Sequence, residues 1–265
     1  MSTYTCIDYE VIGNVARIWH ARPEARNAES QALLDELDDA LQRATADSGI
    51  RVIVVGGRGD HFSAGHDLKE AQAKRAHFTV EERWAYESRR YYEYALRLWD
   101  CPKPTIAQVQ GACIAGGFMV ANMCDLVVAS DDAFFADPVA HTLAAAAVEV
   151  LIHPWVMGTR RAKEMLYTGE RILAAEAHAI GMVNRVVPRA KLEDETMALA
   201  RRIAEAPPFG LSLVKRSLNR TLDIQGLRTA LAAHFDTHQL SHVTSEFGAK
   251  RDAGLANAIE KGKSR

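Results

Sequence analysis

Two glycine-rich turns hold the residue types from which chemistry is most readily built. The first is Gly111 to Asp125, GACIAGGFMVANMCD, which follows a β-like run at Thr105–Val109 and opens a mostly apolar, helix-compatible run at Phe118–Met123. A strand that turns through glycines into a helix leaves unpaired backbone N–H groups pointing out of the turn, and the helix dipole adds partial positive charge there. Such a turn can hold an anion, or an oxygen that becomes anionic during a reaction. The same glycines would equally serve a tight, buried strand-to-helix connection. A second glycine turn lies upstream, HFSAGHDLKEA at His61–Ala71, and its presence favours the chemical reading.

The elements that must position these turns alternate. Tyr4–Val11 and Val15–Trp19 are β-rich runs around Gly13-Asn14, the pattern of a hairpin. The polar loop Ala21–Ser30 leads to a helix in which Asn27 or Ser30 would be the cap and Leu33, Leu34, Leu37, Ala40, Leu41 and Ala44 share one face. Arg51–Val55, RVIVV, is a continuous β-branched run of the kind covered on both faces. A charged amphipathic helix is expected from Val80 to about Trp99, stopped by Pro102 and Pro104. Beyond the central turn, Leu126–Ala129 and Ala133–Ala136 read as strands and His141–Ile152 as an alanine-rich helix. Arg160–Tyr167 and Ala174–Ile180 read as helices and Met182–Val187 as a last strand. From Lys191 the chain is helical, broken at Pro207-Pro208. The order implies an α/β core over 1–190 and a helical region over 191–265.

Composition narrows the function classes. At 265 residues, 48% apolar and 25% charged, with a net charge of −2, the chain has neither a nucleic-acid footprint nor a basic membrane patch. Cys6, Cys101, Cys113 and Cys124 lie far apart, without metal-ligand spacing, and are expected to be reduced thiols. No metal site is expected. A polar N-terminus and the lack of a long apolar run suggest a soluble, cytoplasmic protein.

Four segments then resemble, in order and spacing, the crotonase (enoyl-CoA hydratase/isomerase) superfamily: RPEARNAES, FSAGHDLKEA, QGACIAGGFMVANMCDLVVAS and MLYTGERILAAEAHAIGMVNRVVP. The resemblance covers nearly the whole chain. It implies a spiral of ββα units with C-terminal helices that build homotrimers or homohexamers. It also implies substrates carried as coenzyme A thioesters, with no cofactor beyond the coenzyme A of the substrate. By position, the N–H groups of His66 and Gly116 would hold the thioester carbonyl oxygen and stabilise an enolate, so the His66 imidazole itself need not do chemistry. Arg26, Ala28 and the run Ala64–Lys69, including Asp67 and Leu68, would line the coenzyme A path, with Gly117, Met119 and Val139 beside the acyl group.

The chain departs from the family where a hydratase keeps its two glutamates. Met119 stands at the first and Val139 at the second, and neither can transfer a proton. If each role is worth about 10²–10⁴ in rate, losing both leaves hydration by that mechanism very slow. Asp137, His141 and Glu149 are the titratable groups expected near the acyl pocket. Asp137 would share a face with Val139 on an extended strand; His141 and Glu149 would lie about 80° apart on a continuous helix and could activate water. Asp137 before a proline is also a common turn residue, and His141 could simply cap its helix. Three readings follow: an isomerase, hydrolase or decarboxylase acting through an enolate; a hydratase with relocated acids; or a non-catalytic acyl-CoA-binding protein.

Overall fold

In a computed structural model, which describes residues 4–255 and 257, the chain opens with an antiparallel hairpin of β1 (Ile7–Ile12) and β2 (Val15–His20). Gly13 turns it with a φ of +61°. β1 starts later than the sequence suggests because the Glu36 carboxylate takes the N–H groups of Thr5, Cys6 and Ile7. Helix α1 (Gln31–Ala46) follows, capped by the Ser30 hydroxyl, which accepts from the Leu33 N–H. Then come β3 (Val52–Gly57), α2 (Leu68–Lys74), α3 (Val80–Glu87) and α4 (Glu93–Asp100). A capping box of Thr79 and Glu82 begins α3. The single helix expected over Val80–Trp99 is interrupted by a π-helical turn at Ser88–Tyr92, a local widening often found at functional sites.

Next are β4 (Thr105–Val109), β5 (Ala112–Ile114), α5 (Gly116–Met123), β6 (Leu126–Ser130), β7 (Phe134–Ala136), α6 (Val139–Leu143), α7 (His153–Met157) and α8 (Thr159–Thr168). The chain continues through β8 (Ile172–Leu173), α9 (Ala174–Ala179), β9 (Arg185–Val187), α10 (Leu192–Ala204), α11 (Pro208–Ile224), α12 (Leu227–Ser241) and α13 (Ser245–Asp252). The last expected strand is thus confined to three residues.

The larger sheet runs β1-β2-β3-β4-β6-β9, and every pairing after the hairpin is parallel. Both faces are covered, as a parallel sheet requires, and alternation divides the strands between them. Ile53, Val55, Ala107 and Val109 join α1, α4 and α5 in the main core. Val52, Val54 and Ile106 pack on Leu192, Met197, Ala200 and Ala204 of α10. The smaller sheet, β5-β7-β8, carries the central turn, and α5, beginning there, is buried all round.

The helix expected over His141–Ile152 ends at Leu143. Ala144 and Ala147 adopt left-handed backbone, φ +58° and +52°. The backbone between finds tertiary partners instead: Val148 N–H donates to Asp137, Ala146 N–H to the Ser241 hydroxyl, and the Val148 carbonyl accepts from His234. His141 and Glu149 therefore do not share a helix.

Candidate active site

The two glycine turns meet. Ser63 N–H donates to the Ala112 carbonyl and Ile114 N–H to the Ser63 carbonyl, so the first turn runs alongside β5. A Cβ on Gly65, whose φ is +80°, would sit 2.7 Å from the Ile114 carbonyl oxygen and 3.1 Å from the Gly116 nitrogen. Only glycine permits that approach. Ala115, which caps α5, is held at φ +50°, ψ −111°, a strained conformation of the sort structures maintain at functional turns. Among the described residues, no acceptor takes the N–H of either His66 or Gly116.

The loop before α1 supplies a third wall. Asn27, left-handed and fully buried, donates its amide to the carbonyls of Arg58 and His61 and accepts from Arg22 N–H. Glu29 N–H then donates to the Gly65 carbonyl at 2.8 Å, and Asp67 N–H returns to the Glu29 carbonyl at 3.2 Å. This pairing places the Glu29 side chain, 0% exposed, against the second turn: a Cβ on Gly116 would lie 2.0 Å from Glu29 Oε2. That oxygen has no hydrogen-bond partner, and Oε1 has only a long contact, 3.5 Å, from the Ser63 hydroxyl. Burial raises the Glu29 carboxyl to about 7, outweighing the His66 ring, which pulls it down.

His66 links Glu29 to Glu149. Its Nε2 lies 2.8 Å from Glu149 Oε1, and its Nδ1 3.7 Å from Glu29 Oε2. The ring stacks face to face on Tyr91, centroids 4.0 Å apart and planes 1° apart; Tyr91 is set by the π-helical turn. Burial disfavours a charged imidazole, yet the adjoining Glu149 carboxylate outweighs it and the His66 pKa is raised. Burial likewise acts against the Glu149 anion, and His66 reverses it, holding that carboxyl below its usual range. The two shifts agree on a charge-assisted pair.

Behind Glu149 stands α12. His238 Nε2 lies 3.4 Å from Glu87 Oε2 and 3.9 Å from Glu149 Oε1, without hydrogen-bond geometry to either. Burial opposes its charge, but Glu87 and Glu149 raise it to about 9.

Of the residues expected to transfer protons, only Glu149 lies beside the paired turns, and it reaches His66 rather than His141. The Asp137 carboxylate is fully buried and engaged: it accepts from Val139 N–H and Val148 N–H and lies 3.2 Å from His153 Nε2. It occupies a turn before α6, not a strand shared with Val139. His141 is exposed and its Nε2 donates to the Tyr167 carbonyl. Met119 is fully buried in α5, Val139 is buried, and Gly117 packs on Ser63. Arg26 and Lys69 are exposed; Ala28 and Ala64 are half-buried, and the Arg26 carbonyl accepts from Ala64 N–H. Asp67 caps α2 and pairs with Arg22 at 3.0 Å; Leu68 packs partly on the core. All four cysteines are free. No helix among the described residues is long and apolar enough to cross a membrane.

Glu29 is the residue that sequence reasoning missed. It sits inside RPEARNAES, next to the cap of α1, where no periodicity marks it; an acid within a motif expected at the substrate path was the available signal.

Comparison with known proteins shows the family. Residues 10–265 match the family model described as enoyl-CoA hydratase/isomerase. The Mycobacterium tuberculosis protein EchA13 is 42% identical over 255 residues, spanning 89% of this chain and 80% of its own. Human "enoyl-CoA hydratase domain-containing protein 3, mitochondrial" is 32% identical over 222 residues, 83% of this chain and 71% of its own. A crystal structure of an enoyl-CoA hydratase/isomerase from Xanthobacter autotrophicus Py2 superposes with a TM-score of 0.90 at 38% identity, covering 97% of each chain.

Proposed function

Because the chain belongs to the enoyl-CoA hydratase/isomerase family, we propose that it binds an acyl-CoA thioester with the carbonyl oxygen between the N–H groups of His66 and Gly116, and that Glu29 moves the proton on the adjacent carbon. Taking that proton pushes electron density onto the thioester oxygen, and the two fixed donors stabilise the enolate. The observation that carries this reading is the position of Glu29: a fully buried carboxylate with an unpartnered oxygen, against the first residue of α5. A carboxyl poised near 7 suits a group that must both accept and return a proton at neutral pH.

The reaction this best supports is double-bond isomerisation, in which one carboxylate removes a proton from one carbon and delivers it to another. Glu149 is held at His66 Nε2, whereas Glu29 faces the other ring nitrogen, Nδ1. That arrangement does not favour two-glutamate hydration. A second reading is hydration with Glu29 and His66 as the pair, supported by the unpartnered His66 Nδ1 facing Glu29. In either case Arg26 and Lys69 would meet the coenzyme A phosphates, and assembly as a homotrimer or homohexamer belongs to the same proposal.

The test uses 3-enoyl-CoA and 2-enoyl-CoA thioesters of several chain lengths in deuterated buffer, with acyl-CoA binding measured in parallel. Conversion of the 3-enoyl to the 2-enoyl thioester with deuterium incorporation, reduced about 10²–10⁴-fold by Glu29→Gln, is the expected result. Loss of the 2-enoyl absorbance band instead favours hydration. Binding without isomerisation, hydration or exchange overturns both and leaves an acyl-CoA-binding protein.

A further inference from the structure

Where α3 meets α12, three side chains offer lone pairs to one point, outside the turns that define the candidate active site. One ligand-capable atom of each of Glu87, His238 and His242 lies within 4.8 Å of the others. His242, which caps the end of α12 in helical backbone, lies four residues after His238 and so shares its face; Glu87 ends α3 opposite them.

The tautomers are fixed by the backbone. His238 Nδ1 lies 3.1 Å from the Ala147 carbonyl oxygen and 3.3 Å from that of Ala146. His242 Nδ1 lies 3.0 Å from the His238 carbonyl oxygen. A carbonyl oxygen only accepts, so both Nδ1 atoms carry hydrogen, and each neutral ring keeps its lone pair on Nε2. A histidine that ligates a metal through one nitrogen commonly donates the other N–H to a carbonyl in this way. The Glu87 carboxylate is also oriented from outside: Gln239 donates to Oε2 at 2.7 Å, and Arg83 lies 3.2 Å from Oε1. Each oxygen retains a further lone pair.

An independent observation points into the same space. His238 is 4% exposed, yet its Nε2 has no hydrogen-bond partner, and it faces Glu87 Oε2 and Glu149 Oε1. Glu149 Oε2, fully buried, is also unpartnered. His238 Nε2 thus lies within 4 Å of two carboxylate oxygens, a position that calls for positive charge. A proton supplies one unit and leaves His242 idle. A divalent ion supplies two and engages all three groups.

We propose that Glu87, His238 and His242 bind a divalent transition-metal ion of the zinc class, with Glu149 as the neighbouring carboxylate. Two imidazoles and one carboxylate match the ligand preference of such ions. Tetrahedral ligand bonds of about 2.0–2.2 Å set ligand atoms roughly 3.5 Å apart, so atoms already within 4.8 Å of one another need only side-chain adjustment to close on an ion. Bound there, the ion ties the end of α12 to α3. It also places charge beside Glu149, which holds His66.

The experiment takes the full chain without an affinity tag, stripped with chelator, and titrates it with Zn²⁺ against a chromogenic indicator and with Co²⁺ by visible absorbance. One ion per chain, a cobalt spectrum typical of four-coordination and a higher melting temperature with Zn²⁺ are expected. His242→Gln, at the half-exposed end of α12, and His238→Gln should each weaken binding at least tenfold. Absence of stoichiometric binding at micromolar metal overturns the proposal. So does binding that survives both substitutions, which would assign the metal to other histidines. Neither readout depends on which acyl-CoA reaction is catalysed.

Discussion

Glu29 concentrates the physics of the site in one side chain. Its carboxyl ordinarily titrates at 4.5 and is raised to about 7 by burial, so the folded state favours the protonated form. The stabilising contribution is therefore complete below 4.5 and is lost as pH rises through about 7. A shift of that size corresponds to roughly 3 kcal/mol. Glu29→Gln has no anion to bury, so its stability relative to the parent should improve by roughly 3 kcal/mol between pH 4.5 and pH 8, read from urea melts across that range. If the two curves stay parallel, the carboxyl is not held in its neutral form. The same group should leave a limb in the pH–rate profile near pH 7 that the glutamine variant lacks. Gly116→Ala makes a complementary test, because its methyl would collide with Glu29 Oε2. Turnover should fall by at least 10², on the scale of a lost oxyanion donor, and acyl-CoA binding should weaken with it.

At the scale of elements, the segment between α6 and α7 delivers Glu149 although it forms no regular structure. Asp137 holds it from one side through Val139 and Val148, while His234, His238 and Ser241 of α12 hold it from the other. Asp137→Asn keeps one acceptor oxygen where the N–H groups of Val139 and Val148 need two, and a buried donor left unsatisfied costs about 1–3 kcal/mol. A fall in stability of that order is expected by calorimetry, with activity per folded molecule reduced far less than by Glu29→Gln. Equal loss of activity at unchanged stability would instead make Asp137 a proton-transfer group. The π-helical turn has a comparable role: it interrupts one long helix and thereby lays Tyr91 under the His66 ring.

For the whole molecule, the parallel sheet is covered by α10 on one face and by α1, α4 and α5 on the other, while α11 keeps apolar side chains in solvent. Phe209 is 74% exposed, Val214 56% and Leu218 64%. Exposed apolar groups of this density on one helix are characteristic of association surfaces. If α11 carries the expected assembly, Leu218→Glu should reduce the mass measured by light scattering toward that of one chain without unfolding it. A parent protein already monomeric at micromolar concentration would remove the idea.

Much of this molecule was legible before folding, because local rules decide it. The continuous β-branched run at Arg51–Val55 and the β-like run at Thr105–Val109 became covered parallel strands, the stripe from Leu33 to Ala44 became the buried face of α1, and Ser30, one of the two candidate caps, became its cap. The two glycine turns were visible because backbone that approaches backbone needs residues without a Cβ. What the sequence could not convey is which distant side chains arrive at those turns. Glu29 reaches Gly116 through a two-bond bridge to Gly65 and Asp67. Glu149 reaches His66 because Ala144 and Ala147 leave the helix that alanine propensity favours. Helix propensity differs by only tenths of a kcal/mol per residue, and a few buried hydrogen bonds from Asp137 and α12 outweigh it. Those bonds exist only once the chain has closed on itself, so Glu149 could be named from the sequence, but its pairing with His66 and the place of Glu29 were decided by tertiary structure.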